Sequence, residues 1–168
     1  MTRVRRATLD DARAIAEVHV DTWRVAYPGV IPQDVLDRLD VDEREQRWLS
    51  WIPVEEIAVF VAQQDGRVVG FVSLGPCRDV DGTGELYAIY VAPGSWGTGA
   101  GPALMDEATE WLLARWDEAV LWVAEENPRA RRFYERYGWI AEERRVEEVA
   151  PGAYVPEVRY RLSGLDRR

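Results

Sequence analysis

The stretch YVAPGSWGTGAGPALM, Tyr90 to Met105, opens as a β-rich run, passes a Pro-Gly turn and closes on helix formers. Between strand and helix lie Gly97, Gly99 and Gly101, alternating with Thr98 and Ala100. Glycine at a helix start costs order and contributes no packing. Three of them at one place predict that a ligand comes close to the backbone. A helix N-terminus leaves four N–H groups without internal partners and carries about half a positive charge. Strand, turn and Gly-x-Gly-x-Gly therefore read as a cradle for a pyrophosphate. A tight loop that merely needs flexible residues is the other reading. A P-loop requires Gly-Lys-Ser/Thr, and the chain has none. A dinucleotide fingerprint requires G-x-G-x-x-G and an acidic residue ending the next strand. Here the third glycine comes one residue early, and Asp117 and Glu118 precede that strand instead of ending it.

Outward from this stretch, period and turn chemistry predict the remaining elements. VRRAT (Val4–Thr8) is a short strand. Thr8 then caps a helix that carries Ala12, Ile15, Ala16, Val18, Trp23 and Ala26 at helical spacing, with Asp11 three residues after the cap. Pro28-Gly29 breaks it, and a second helix runs from about Gln33 to Trp51. EIAVFVAQQ and RVVGFVSLG are strands joined by Asp65-Gly66, a hairpin signal. GELYAIYVAP is a long strand from Glu85 to Ala92, and the glycine loop opens a helix reaching about Arg115. AVLWVAEE is a strand, NPRARRFYERYG a helix closed by Gly138, and WIAEERRVEEV and AYVPEVRYRL the final strands. The order β-α-α-β-β-β-α-β-α-β-β predicts an α/β (α+β) fold in one domain, residues 1–168. Its sheet is mixed and mostly antiparallel, of six to seven strands, with about four helices on its faces.

Composition narrows the function classes. At 47% apolar and 30% charged residues, the chain has the profile of a soluble globular protein. A net charge of −9 argues against nucleic acid and weakly favours a cationic small molecule or a basic peptide. No apolar run has the length of a membrane span. The N-terminal MTRVRRATLDD lacks the apolar core of a signal peptide, so export is not expected. Cys77 is the only cysteine, which rules out an intramolecular disulfide and a cysteine-based zinc site and fits a reducing cytoplasm. His19 is the only histidine, so no multi-histidine metal site is expected.

Two motifs give the chain a family likeness. WGTGAG, Trp96 to Gly101, resembles the Q/R-x-x-G-x-G/A signature of GNAT-type N-acetyltransferases, which use acetyl-CoA. NPRARRFYERYGW, Asn127 to Trp139, is similar to that family's N-x-x-A-x-x-x-Y-x-x-x-G-F pattern. DDARAIAEVHVDTWRVAYPG also looks like first-helix sequence of the superfamily, and the resemblance, element order included, spans nearly the whole chain. Trp96 stands where Gln or Arg is usual, which removes a side-chain contact to phosphate. Pro102 follows the last glycine and offers no N–H.

The resemblance implies acetyl-CoA as acyl donor, with no metal, and acetyl transfer to a primary amine of a small molecule or peptide. The alternative it leaves is a catalytically silent acyl-CoA-binding domain. It places the pyrophosphate on Trp96, Gly97, Thr98, Gly99, Ala100 and Gly101, and the pantetheine arm along the backbone of Ile89, Tyr90 and Val91. That strand edge must then be free of its neighbour. Asn127 before Pro128 reads as an N-cap with Pro at N1, to which the family adds a CoA contact. Arg131 and Arg132 either reach the CoA phosphates or face solvent. Ala130, Phe133 and Tyr137 share one helical face and read as core, whereas Tyr134 falls off that stripe. The family makes such a tyrosine the acid for the leaving thiolate. Glu85, at the start of the long strand, matches the position where the family often has a carboxylate base, with Glu125 and Glu126 as rivals. His19, Trp23 and Tyr27, four residues apart, gather on one helix face. They are either core or the lining of an acceptor pocket whose rings grip a cation. The acceptor stays open among a peptide N-terminus, a polyamine, an aminoglycoside and a small amine, and a homodimer is among the assembly states left open.

Overall fold

The computed structural model describes residues 1–165. Seven strands form one sheet: β1 (Thr2–Arg6), β2 (Ala58–Gln64), β3 (Arg67–Pro76), β4 (Gly84–Val91), β5 (Glu118–Ala124), β6 (Ile140–Ala150) and β7 (Ala153–Ser163). Their order in space is β1-β2-β3-β4-β5-β7-β6. Asp65 and Gly66 both take positive φ, 51° and 77°, as the two-residue turn between β2 and β3 requires. Every neighbouring pair is antiparallel except β4 and β5.

That exception positions the site. The β4–β5 ladder consists of Gly84↔Ala119 and Glu85↔Val120 only. On the other edge, β4 pairs with β3 along its whole length, but Leu86 opposes Leu74 and Ala88 opposes Ser73, so Tyr87 is an extra residue. Such a bulge bends and twists its strand. From Leu86 onward β4 stays with β3 and leaves β5, opening a wedge in the middle of the sheet.

The helices are α1 (Ala12–Ala26), α2 (Gln33–Asp37), α3 (Val41–Trp51), α4 (Ala100–Leu113) and α5 (Pro128–Arg136). The expected single helix over residues 33–51 is two: Asp40 breaks it, because its carboxylate caps a new start by accepting the Glu43 N–H at 3.1 Å. A 3₁₀ turn, Leu9–Asp11, leads into α1, and Asp11 reaches back to the Thr8 N–H at 2.8 Å while Arg5 grips it at 2.8 and 2.9 Å. Helices α4 and α5 cover one sheet face, where Leu104, Met105, Ala108 and Leu112 pack on Leu86 and Leu121. Helices α1 and α3 cover the other over β2–β4, where Ile15, Ala16 and Trp48 meet Val61 and Phe71. Among the described residues, no helix is long and apolar enough to cross a membrane.

Candidate active site

The glycine loop ends β4 and begins α4. Gly97 and Gly99 have φ of 77° and 95°, left-handed values that favour glycine whether or not a ligand is present. Gly101 is different. A Cβ there would meet the Phe133 ring at an ordinary 3.6 Å, so neither backbone nor packing demands glycine. It faces a cleft of about 640 Å³ between the loop and α5, lined among others by Gly97, Gly99, Arg129, Phe133 and Arg136. Trp96 anchors the loop by donating from Nε1 to the Val91 carbonyl at 2.8 Å. Thr98 Oγ1 accepts from Gln64 Nε2 at 2.8 Å and donates to the Ser95 carbonyl at 2.6 Å. The charge that Trp96 does not supply comes from α5: the Arg129 guanidinium lies 3.6 Å from the centre of the Trp96 ring. Arg131 is not in this cleft. Its Nε donates to the Tyr160 hydroxyl at 3.0 Å and its NH1 to the Glu125 carbonyl at 3.3 Å. Helical period separates them: Arg129 and Arg136, seven residues apart, share one face of α5, whereas Arg131, two residues from Arg129, lies on the other.

The wedge continues from this cleft into the sheet. The Ala92 N–H donates to Val69 across β3, so strand alternation turns the backbone of Ile89 and Val91 toward the β5 side. Beyond Glu85 that edge of β4 has no strand partner among the described residues. Tyr134 borders the wedge. The stripe reading of α5 is corrected here: Tyr134 is the buried member, 7% exposed, whereas Phe133 and Tyr137 are half-buried. Positions i, i+3, i+4 and i+7 share one helix face, so Tyr134 belongs to the same stripe as Ala130, Phe133 and Tyr137, and all four pack on one core. The Tyr134 hydroxyl makes no hydrogen bond among the described residues, and burial, followed by the nearby Tyr90 hydroxyl, pushes its pKa well up. Asn127 Oδ1 caps α5 by accepting the Ala130 N–H at 3.2 Å, and its amide stands beside the Tyr27 hydroxyl.

On the opposite sheet face the first-helix aromatics are together as their spacing predicts. The His19 and Trp23 rings are 5.6 Å apart, Trp23 and Tyr27 5.2 Å, and His19 stacks on Tyr90 at 5.4 Å. Burial, then Arg44 and Arg47, hold the His19 pKa down to about 3, so its ring is neutral. Glu85 is fully buried at the paired end of the wedge, and Arg78 grips it: NH2 to Oε2 at 2.5 Å, Nε to Oε2 at 3.2 Å, and the backbone N–H to Oε1 at 3.2 Å. Glu125 pairs with Arg144 at 2.9 Å, and Glu126 is exposed.

Two charged side chains that motif reading passed over also face this side. Glu157 on β7 opposes Ala124 of β5. Extending the register Glu85↔Val120 by four residues places Ala124, and Glu157 beside it, level with the Ile89–Tyr90 end of the wedge. Arg145 holds Glu157 by Oε1 alone, from Nε and NH2 both at 3.1 Å, and Oε2 has no partner among the described residues. Burial raises the Glu157 pKa even against Arg145. Arg44, one turn before Trp48 on α3, is half-buried, with no ion pair or side-chain hydrogen bond among the described residues. Alternation in AYVPEVRYRL put Glu157 on one face with Val155 and Arg159, but only the register shows what that face meets. Among the described residues, no three His, Cys, Asp or Glu side chains gather as a metal site would need.

A splayed parallel pair, a glycine-rich helix start beside it and a helix capped by Asn-Pro define an acyl-CoA N-acyltransferase fold. Residues 14–139 match the model of the Acetyltransferase (GNAT) family, and the chain belongs to that family of acyltransferases. It is similar to YuaI of Bacillus subtilis (strain 168), an uncharacterized N-acetyltransferase, with 43% identity over 141 residues, covering 82% of this chain and 79% of YuaI. In fold it resembles the PaiA N-acetyltransferase of Thermoplasma acidophilum in complex with coenzyme A, with a TM-score of 0.75, 20% identity, and 97% and 99% of the two chains covered. It also resembles YncA of Salmonella typhimurium, a putative acetyltransferase solved with acetyl-CoA, with a TM-score of 0.73, 21% identity, and 97% and 94% covered.

Proposed function

We propose that this protein transfers an acetyl group from acetyl-CoA to a primary amine in a ternary complex. The observation that carries the reading is the β4–β5 wedge, with the glycine-loop cleft at Val91 on one side and the aromatic face around Tyr90 on the other. On this reading a long thioester enters from the first side and an amine from the second. In our reading the N–H groups of the loop from Gly97 to Gly101, with Arg129 and Arg136, hold the pyrophosphate, and the free edge of Ile89–Val91 takes the pantetheine arm. PaiA with coenzyme A and YncA with acetyl-CoA support this choice of ligand.

The acceptor must attack as a neutral amine. An alkylamine of pKa about 10.4 is about 0.1% neutral near pH 7, a deficit of about 4–5 kcal/mol. A carboxylate therefore takes the ammonium proton. Glu85 was the sequence expectation, but both its oxygens are engaged at the closed end of the wedge. We place the base at Glu157, whose Oε2 has no partner among the described residues and whose pKa burial raises, which makes it a stronger base than an exposed carboxylate. The nitrogen–carbon bond forms, the carbon–sulfur bond breaks, and the leaving thiolate takes a proton from the Tyr134 hydroxyl; the nitrogen gives up its second proton, which restores that hydroxyl by way of solvent. A backbone N–H of the Ile89–Val91 edge offers a hydrogen bond to the carbonyl oxygen as it gains charge. Positioning the two substrates contributes more than the acid, because a thiol of pKa about 8.5 departs fairly well unaided. The single cysteine fits a cytoplasmic enzyme.

The test is calorimetry with acetyl-CoA together with thiol release across a panel of amines. Binding with amine-dependent release is expected. Binding without release from any amine would instead make this a silent acyl-CoA-binding domain.

A further inference from the structure

The acceptor face of the wedge carries an imbalance that the chemistry above does not use. Arg44 projects from α3 on the same side as Trp48, whose ring lies 6.0 Å from His19 and 5.0 Å from Phe71. It lies close enough to His19 to help keep that ring neutral, and close enough to Tyr90 to act on its hydroxyl. The neighbouring Glu43 acts on Arg44, but that carboxylate is bonded to Arg47 and closes no ion pair with it. A half-buried guanidinium with no ion pair is costly, since desolvation of a charge is normally met by a partner. Every arginine that borders the opposite end of the face has one: Arg78 has Glu85, Arg145 has Glu157, and Arg159 has Glu142 and Glu143. Around Arg44 there is also a surplus of donors. The buried indole N–H groups of Trp23 and Trp48, both beside His19, have no acceptor among the described residues, and Trp23 Nε1 stands beside the Tyr90 hydroxyl without closing a bond to it. Glu157, like Arg44, lies close enough to Tyr90 to act on its hydroxyl, and its Oε2 has no donor among the described residues. The surroundings of Tyr90 thus hold a cation that lacks an anion and a carboxylate oxygen that lacks a donor.

We propose that the acceptor is a small zwitterion, an amine that also carries an acid group, with the ammonium on Glu157 and the acid on Arg44. The proposal rests on the acetyltransferase reading and makes it specific. It sets a free amino acid, or an analogue with a phosphonate in place of the carboxylate, against a polyamine or a peptide N-terminus. Peptide linkage removes the carboxylate next to the amine, and a polyamine would bring a second cation to the unpaired guanidinium.

The experiment compares matched acceptors by thiol release from acetyl-CoA: α-, β- and γ-amino acids, their phosphonate analogues, their carboxamides and the corresponding decarboxylated amines. The full chain is used, with acetyl-CoA binding measured separately by calorimetry. At least one acid-bearing acceptor is expected to exceed its decarboxylated partner at least tenfold in kcat/KM. The carboxylate and phosphonate arms show which acid the site takes. Arg44→Met should cut that ratio at least tenfold, with a melting temperature at or above the wild type, because an unpaired cation has been removed. Arg47→Met, an exposed neighbour on α3 paired to Glu43, should leave the ratio unchanged. Equal rates for acid-bearing and decarboxylated acceptors, or an Arg44→Met variant that loses both equally, would overturn the proposal. Acetyl-CoA binding with no acid-bearing acceptor turned over overturns it too, while leaving the acetyl-CoA reading in place. No acetyl-CoA binding at all would remove both.

Discussion

Gly101, Tyr134 and Glu157 each depend on a few ångströms of local geometry. Gly97 and Gly99 take left-handed φ, so replacing either confuses a lost contact with backbone strain. Gly101 separates the two, because an added methyl meets the Phe133 ring at 3.6 Å and Val91 at 3.9 Å, both ordinary contacts. Gly101→Ala is expected to keep the wild-type melting temperature and to weaken acetyl-CoA binding about tenfold by calorimetry, or about 1.4 kcal/mol. Unchanged affinity would place the phosphates elsewhere. For Tyr134, burial keeps the hydroxyl protonated well past neutral pH, the form an acid needs. Tyr134→Phe should lower kcat about 10–100-fold with acetyl-CoA affinity retained. An unchanged kcat, with acetyl transfer shown to be rate-limiting, reduces Tyr134 to packing.

Among the elements, β4 decides the most, through its bulge at Tyr87 and the Arg78–Glu85 pair at its closed end. If Glu85 fixes the point where β4 and β5 part, Glu85→Gln should lower stability by about 1–2 kcal/mol in urea unfolding, a modest figure because Arg78 is largely exposed. Its profile of kcat/KM against pH should then run parallel to the wild type. Glu157→Gln should behave differently, with a loss of about 10²-fold near pH 7 that recovers partly toward pH 9–10, where the amine deprotonates unaided. A recovering Glu85→Gln and a parallel Glu157→Gln would return the base to Glu85. Helix α5 shows how much an element reveals on its own. Its Asn127 cap, Pro128 start and Gly138 stop were legible because each is a neighbour effect. Which of Phe133 and Tyr134 would be buried was not, since that depends on the sheet beneath.

For the whole molecule, stability should depend on pH through His19. The folded state holds its pKa down to about 3 against an ordinary 6.5, so below about pH 6.5 the unfolded chain binds a proton the folded one refuses. Stability therefore falls with pH by up to about 1.4 kcal/mol per unit below pH 6. Urea midpoints between pH 7 and 5 should drop for the wild type and less for His19→Leu, and equal slopes would refute the assignment. The sequence by itself determined the element order save for the break at Asp40, the Asp65-Gly66 hairpin, the glycine-rich start of α4 and the aromatic row on α1. These follow from period, turn chemistry and φ preference, which act between residues a few positions apart. Tertiary structure alone decided that one strand pair parts after two residues, that Arg129 stacks on Trp96, and that Glu157 and Arg44 both come close to Tyr90. The physical reason is that these side chains come from different elements, and their meeting depends on strand register and helix placement, which no local preference specifies.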